Sequence, residues 1–186
     1  MINIEKIINS HLKVINSVLY ENVKTINVAI KLIWETLING HTIYFCGNGG
    51  SAADAQHLAA EFTGRFKKER KGLSAIALTT DTSAITAIAN DYGYEYVFSR
   101  QLSAVAREND LLVVISTSGN SSNLLHAVKT AKKMNCKTIG LLGKGGGFIK
   151  DSCDEAIIIN SSDTARIQES HIMIGHILCE RIDMKF

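Results

Sequence analysis

The chain has 186 residues, of which 46% are hydrophobic and 20% charged, and its formal net charge is +2 at pH 7. This length and composition favour one folded domain with a full core, and the near balance of charge argues against a nucleic-acid partner. Four widely spaced cysteines form neither a zinc knuckle nor a disulfide framework. No stretch resembles a signal peptide or an uncharged membrane span, so we expect a cytoplasmic protein without a membrane partner.

Residues 2–39 carry apolar side chains at helical spacing, enough for about two helices before the first strand. An apolar helical face outside a sheet domain commonly packs on a partner subunit. We therefore expect a single domain over residues 1–186, whose helical extension, residues 1–40, serves oligomerisation.

From residue 42 onward, short apolar strands alternate with helical patterns. The predicted strands are Thr42–Phe45, Ala75–Leu78, Leu111–Ile115, Lys137–Leu142 and Glu155–Ile159, and the predicted helices lie at 50–64, 81–90, 95–106, 121–134 and 164–184. This alternation predicts an α/β fold, a three-layer doubly wound sandwich with a mainly parallel five-stranded sheet. The basic stretch Arg65–Lys71 between two of these elements favours a solvated helix end and loop over a polyanion site.

Two turns rich in glycine and hydroxyl groups each join a predicted strand to a predicted helix. The first, Cys46–Ser51, has the sequence Cys-Gly-Asn-Gly-Gly-Ser, and the second, Ser116–Ser121, has Ser-Thr-Ser-Gly-Asn-Ser. Such turns direct backbone N–H groups and a helix dipole at an anion, and both lie at strand carboxyl ends, where open α/β sheets bind ligands. Neither contains the lysine of a Walker A loop. We therefore predict a small phosphorylated ligand rather than a nucleoside triphosphate.

A dinucleotide-binding fold is the alternative from geometry alone. Gly47, Gly49 and Ala52 match the pattern G-x-G-x-x-A after a strand. The match is weak, because the acidic residue that should close the next strand is missing and the second turn is left unexplained.

Candidate acid–base residues lie on two helices. His57 and Glu61 are four residues apart and share one helix face, next to the predicted ligand site and among small alanines. By spacing alone such a pair is more often a surface or packed pair, and its position favours a functional one. The last helix offers four polar candidates, Gln168, Glu169, His171 and His176, and the residues do not decide between the two histidines.

The remaining candidates have simpler interpretations. Asp91 could cap a turn or bind sugar hydroxyls, and its residue type favours capping. His11, His41 and His126 lack polar neighbours in the sequence and are expected to be structural.

Together these motifs resemble the phosphoheptose isomerases, which are sedoheptulose 7-phosphate isomerases of the sugar-isomerase (SIS) domain superfamily. The resemblance covers nearly the whole chain and is carried by Gly47–His57, Ala60–Arg65, Ala89–Asp91, Ser116–Ser121, Ser162–His171 and His176. The serine turn alone marks only the wider superfamily, whereas the combination of His57 and Glu61 with Gln168 and His176 is specific.

The resemblance implies a homotetramer with active sites between subunits and assigns a role to each motif. The residues implied at the phosphate are Ser51, Ser116, Ser118 and Ser121, with Thr117 lining the same turn. Those implied at the sugar are Asn48, Asn90 and Asp91, with Arg65 and Asp163 nearby. Further substrate contacts are implied for Gly49, Gly50, Glu61 and Gln168. One zinc ion per subunit would be held by His57, Glu61, Gln168 and His176. Positions eight apart on an ideal helix diverge by about 80°, so Gln168 would reach in from the first helical turn.

The implied reaction converts sedoheptulose 7-phosphate into D-glycero-D-manno-heptose 7-phosphate through an enediol(ate), with Glu61 as base and His176 as acid. It is the first step towards ADP- or GDP-heptose precursors of lipopolysaccharide, capsule or other surface glycans. An isomerase of another phosphosugar would keep the serine turns without needing Gln168 and His176. The chain could also be a non-catalytic SIS-domain protein, like one that associates with a bacterial replication initiator. In such a protein we would expect some acid–base residues to be lost, whereas this chain has all four: His57, Glu61, Gln168 and His176.

Overall fold

The structure, a computed structural model, describes residues 3–186, so the first two residues of the predicted extension lie outside the described part. The helices and strands follow in the order α1 (Ile4–Glu21), α2 (Val23–Ile38), β1 (Ile43–Gly47), α3 (Gly50–Thr63), β2 (Ala75–Ala77), α4 (Thr82–Tyr92), α5 (Val97–Val105), β3 (Leu111–Ser116), α6 (Ser122–Lys133), β4 (Lys137–Gly143), β5 (Glu155–Ile159) and α7 (Thr164–Asp183). Every predicted strand and helix is present, with each end within two residues of its predicted position.

All five strands are parallel and pair in the order β2-β1-β3-β4-β5. The winding direction of the sheet reverses between β1 and β3, which are direct neighbours, and Gly47 of β1 pairs with Ile115 of β3. The two glycine- and hydroxyl-rich turns therefore leave the sheet side by side. This position is the topological switch point at which doubly wound sheets bind ligands.

Helices cover both faces of the sheet, which confirms the predicted three-layer sandwich. Ile43 and Phe45 of β1 face the core formed with α2, α3 and α7, whereas Tyr44 and Cys46 face the core formed with α5 and α6. The alternation follows from the strand period of two, and burial on both faces explains why the strands are almost continuously apolar.

Small residues bring α3 and α7 close together. Ala55 and Ala59 of α3 are buried, and a Cβ added at Gly175 of α7 would overlap the Leu58 side chain. The close approach expected from the alanine-rich sequence is thus made by α7. It places His57 and Glu61 beside the second half of that helix.

The N-terminal helices form as predicted and pack on α7 through only part of their apolar surface. Among the apolar side chains that remain exposed are Ile4, Ile8, Leu12, Leu19 and Tyr20. An open groove between α1, α2 and α7 is lined mainly by aliphatic side chains. Within residues 3–186, no helix has both the length and the apolar composition needed to cross a membrane.

The structure corrects two interpretations of the sequence, for the basic stretch and for two histidines, and agrees with a third, for the cysteines. The Arg65–Lys71 stretch is largely exposed, but the Arg70 side chain is only 4% exposed, so the prediction of a solvated stretch is wrong there. His11 and His41 have polar neighbours, since His11 Nδ1 lies 2.7 Å from Glu169 and His41 Nδ1 lies 3.8 Å from Asp110. Both partners are distant in the chain, which is why the sequence did not reveal them. All four cysteines are free, as expected.

Candidate active site

The first turn depends on two glycines, Gly49 directly before α3 and Gly50 at its first position. Gly49 has a φ of +56°, a left-handed conformation that glycine adopts without steric cost. A Cβ added at Gly50 would overlap the side-chain amide of Gln168. The turn can therefore reverse sharply while Gln168 of α7 reaches the N-terminal end of α3, next to the buried Ser51.

The second turn is held by its own hydroxyl groups. Ser116 Oγ accepts a hydrogen bond from the Gly119 amide at 3.1 Å, and Ser118 Oγ accepts one from the Asn120 amide at 3.2 Å. Ser121 is the N-cap residue of α6, but its side chain makes no capping hydrogen bond. Its hydroxyl and the first amides of α6 are consequently available to an anion.

A pair of side-chain amides joins the two turns. Asn48, directly after β1, and Asn123, in the first turn of α6, donate to each other's Oδ1 atoms at 3.0 and 2.8 Å. The Tyr94 hydroxyl also donates to Asn48 Oδ1, at 3.0 Å. Asn48 was predicted at the site from the sequence, whereas Asn123 and Tyr94 were missed. The position of Asn123 two residues after the second turn was the available signal.

His57, Glu61 and His176 come together where α3 contacts α7. His57 Nε2 lies 2.9 Å from His176 Nε2 and 3.4 Å from Glu61 Oε1, and the Phe66 ring stacks on His176. Two imidazole nitrogens and a carboxylate are donors that zinc takes, so these residue types fit the ion. Within residues 3–186, however, no three His, Cys, Asp or Glu side chains surround a common point as preformed ligands would. The two imidazoles instead lie at hydrogen-bonding distance.

Gln168 lies apart from these three side chains. Its amide is directed at Gly50, which precedes His57 by seven residues, or about 10 Å along the axis of α3. Within the described residues it makes no hydrogen bond to His57, Glu61 or His176. The structure thus places Gln168 beside the first turn.

Four other residues predicted at or near the sugar have their hydrogen-bond and ion-pair partners outside the His57–Glu61–His176 cluster. They are Asn90, Asp91, Arg65 and Asp163. Asn90 Nδ2 donates to Asp91 Oδ1 at 2.8 Å at the exposed end of α4, and Asp91 caps no helix or turn in the described residues, so the capping interpretation is wrong. Arg65 pairs with Glu69 at 3.3 Å on the surface. Asp163 is the N-cap of α7 and accepts from the amides that follow it. Within residues 3–186, none of these four side chains makes a hydrogen bond or ion pair to His57, Glu61 or His176.

Asp54 is a half-buried carboxylate that was missed from the sequence. It lies one helical turn before His57, and its Oδ2 atom is buried without a hydrogen-bond partner in the described residues. Burial raises its pKa above the ordinary value, and the neighbouring His57 offsets this only in part. Its place on the same face of α3 as Gly50, His57 and Glu61 puts it within the site.

A buried ion pair holds the end of α3 that carries Glu61. Arg70 Nε lies 2.7 Å from Asp183 Oδ1, and the same guanidinium donates to the backbone carbonyls of Glu61 and Phe62 at 3.0 Å. Burial alone raises the pKa of Asp183, but hydrogen bonds from the Lys68 amide and from Arg70 outweigh it, so the pKa lies below the ordinary value. The pair therefore ties α3 and the loop after it to the end of α7.

Comparisons with known proteins show which family the chain belongs to. The SIS domain family model matches residues 8–143, and the class that the fold and its serine turns define is therefore the SIS-domain proteins. A phosphoheptose isomerase of a Nitratiruptor species is 59% identical over 184 residues, covering 99% of this chain and 98% of its own. One from Campylobacter jejuni serotype O:6 is 60% identical over 156 residues, covering 84% of each chain.

Solved structures give the same result. The phosphoheptose isomerase of Neisseria gonorrhoeae superposes with a TM-score of 0.93 at 43% identity, covering 97% of each chain. That of Francisella tularensis gives 0.94 at 37% identity, covering 97% of this chain and 96% of its own. The chain belongs to the phosphoheptose isomerase family, and the dinucleotide-binding alternative is set aside.

Proposed function

We propose that the protein converts sedoheptulose 7-phosphate into D-glycero-D-manno-heptose 7-phosphate as an aldose–ketose isomerase of heptose biosynthesis. The observation that carries this proposal is the convergence of His57, Glu61 and His176 at 2.9–3.4 Å beside two anion-binding turns, in a member of the phosphoheptose isomerase family. A non-catalytic binding protein would not need to keep these acid–base groups.

The phosphate anchors the substrate at the switch point. Ser51, Ser116, Ser118 and Ser121 donate hydroxyl protons to its oxygens, and the N-terminal amides of α3 and α6 add dipoles of the right sign. Thr117 lines the same turn. Anchoring at this end fixes C1 and C2 of the open-chain sugar, which lowers the entropic part of the barrier. Asn48, Asn90 and Asp91 contact the sugar, with Arg65 and Asp163 nearby.

Proton transfer then runs along the α3–α7 contact. Glu61 removes a proton from C1 of the ketose and returns it to C2, so that the carbon skeleton passes through an enediolate. His176 gives a proton to the C2 oxygen and accepts the one released from the C1 hydroxyl. The number of protons on the sugar is unchanged, as an isomerisation requires.

We propose one zinc ion per subunit, which would be held by His57, Glu61 and His176, with Gln168 as the fourth donor. Glu61 and His176 would each bind it through one atom, which leaves the other carboxylate oxygen and the other ring nitrogen for proton transfer. When bound, zinc supplies positive charge that polarises the carbonyl group and stabilises negative charge on the enediolate oxygens. The donor types support this proposal, and Gln168 must turn from Gly50 to complete the set.

We propose a homotetramer in the cytoplasm. The exposed apolar side chains of α1 and the aliphatic groove beside α2 support the assembly, because such surface gains stability when a second copy covers it. Four unpaired cysteines fit a reducing compartment.

The variant Glu61→Gln tests the proposed base. Removing a general base lowers the rate by about 10²- to 10⁴-fold, and we expect kcat to fall in that range while inorganic phosphate still inhibits with an unchanged constant. Glu35→Gln is the control, since Glu35 is an exposed partner of Lys31 far from the site. A Glu61→Gln protein that keeps most of its isomerase rate contradicts the assignment.

A further inference from the structure

The amide pair between Asn48 and Asn123 has a fixed orientation. The backbone amide of Leu124 donates to Asn123 Oδ1 at 2.9 Å, so this atom must be an oxygen and the other atom of the Asn123 amide must be the nitrogen. Asn123 is 2% exposed, which leaves it no freedom to exchange these partners with water.

The orientation of Asn123 determines that of Asn48. Asn123 Nδ2 faces an acceptor, which makes that atom Asn48 Oδ1, and the Tyr94 hydroxyl donates to the same oxygen. Asn48 Nδ2 donates one hydrogen bond to Asn123 Oδ1. An asparagine amide has four hydrogen-bonding positions, and three are thus occupied within the described residues. The position that remains is one N–H of Asn48.

We propose that Asn123 is a positioning residue that acts through Asn48, and that Tyr94 completes the arrangement. Asn123 holds the Asn48 amide so that it offers a donor, and never an acceptor, to an oxygen of the bound sugar phosphate. The inference rests on the proposed function, because it takes Asn48 as a substrate contact. It also explains why a polar side chain is buried at the start of α6, where it links the β1 turn to the β3 turn.

A double-mutant cycle separates positioning through Asn48 from a structural role. The values of kcat/KM for sedoheptulose 7-phosphate are compared for the wild type, Asn48→Ala, Asn123→Ala and the double variant. We expect each single variant to lose about tenfold, the effect of one hydrogen bond, and the double variant to lose no more than about twofold beyond Asn48→Ala. The inhibition constant of inorganic phosphate should stay within about twofold, because the serine turns are intact.

Further variants distinguish the loss of the amide contact from a general loss of structure. Asn123→Asp keeps the acceptor for the Leu124 amide but loses the donor to Asn48, and we expect the same loss as for Asn123→Ala. Tyr94→Phe should lose about threefold in the wild type and nothing in the Asn48→Ala background. Asn39→Ala is the control, because the Asn39 side chain also donates a hydrogen bond, but to the Glu35 carbonyl in an exposed position at the end of α2.

The outcomes separate the two proposals. Effects of Asn48→Ala and Asn123→Ala that multiply to about a hundredfold overturn the positioning role, as does an equal weakening of phosphate inhibition. A wild-type protein without turnover contradicts the proposed function instead. The same cycle is then measured as shifts in the urea unfolding midpoint: losses that do not add support the coupled amide pair, and losses that add in full overturn it.

Discussion

His171 is a buried titratable side chain that the proposed mechanism does not use. It is fully buried on α7, and neither ring nitrogen makes a well-aligned hydrogen bond in the described residues, although the Leu142 backbone is nearby. Burial lowers its pKa to about 4, although the Leu142 carbonyl raises it somewhat. The imidazole is therefore neutral at pH 7 and serves packing. His176, in contrast, lies at hydrogen-bonding distance from His57 in the candidate site.

The low pKa of His171 predicts acid sensitivity. In the unfolded chain the imidazole titrates near its ordinary pKa of about 6.5, so the unfolded state binds the extra proton between pH 6.5 and 4. The free energy of unfolding should fall by up to about 3 kcal/mol across this range, and the contribution should be constant below it. Urea unfolding from pH 7 to pH 4 measures it. The variant His171→Gln should lose this part of the pH dependence, and an unchanged pH profile would contradict the prediction.

Residue chemistry explains which site residues the sequence could predict. His57 and Glu61 are neighbours on one helix, so their spacing shows that they share a face, but it was their position beside the first turn that favoured a functional pair. His176 lies 119 positions from His57, and only the family resemblance selected it over His171. Asn123 and Asn48 are 75 positions apart, and their pairing depends on β1 and β3 being adjacent. A polar residue at a helix start otherwise predicts only a solvated end.

At the scale of elements, the period of the apolar pattern predicted the strands and helices well. Strands such as Leu111–Ser116 are buried on both faces, so their apolar runs are unambiguous. The contacts between elements were not predictable in the same way. The Arg70–Asp183 pair joins the loop after α3 to the end of α7, and in the sequence Arg70 looks like one more charge in a basic stretch.

The Arg70–Asp183 pair predicts a combined loss of stability and activity. Asp183→Asn leaves the Arg70 charge buried without its partner, which we expect to lower the free energy of unfolding by about 3–5 kcal/mol. Because Arg70 also holds the Glu61 and Phe62 carbonyls, kcat should fall in whatever protein stays folded. Unfolding in urea and steady-state kinetics measure both effects.

A matched control exists on the same two elements. Glu180 of α7 pairs with Lys67 of the loop at 2.8 Å, but both side chains are largely exposed. Glu180→Gln should therefore change stability by less than about 1 kcal/mol and leave kcat unchanged. Equal effects of Glu180→Gln and Asp183→Asn would show that burial of the ion pair is unimportant.

At the scale of the whole molecule, the apolar surface of α1 predicts assembly. Leu12 is 49% exposed on a helix with several other exposed aliphatic side chains. We expect the wild type to have the mass of four chains in light scattering, and Leu12→Glu to shift it to smaller species, because a carboxylate must then be desolvated at the interface. Asn16→Glu adds the same charge at an exposed polar position and should have a smaller effect. A wild-type protein that is monomeric at micromolar concentration would contradict the proposed tetramer.

At the switch point of the sheet, the Asn48–Asn123 amide pair joins the two glycine- and hydroxyl-rich turns, and the His57–Glu61–His176 cluster lies where α3 contacts α7. The most direct measurement is to incubate the purified protein with sedoheptulose 7-phosphate and follow the ketose and aldose signals by proton NMR, with added zinc and with a chelator. We predict conversion to the manno-heptose 7-phosphate that the chelator suppresses and zinc restores. No conversion under any of these conditions would contradict the assignment as a heptose-phosphate isomerase.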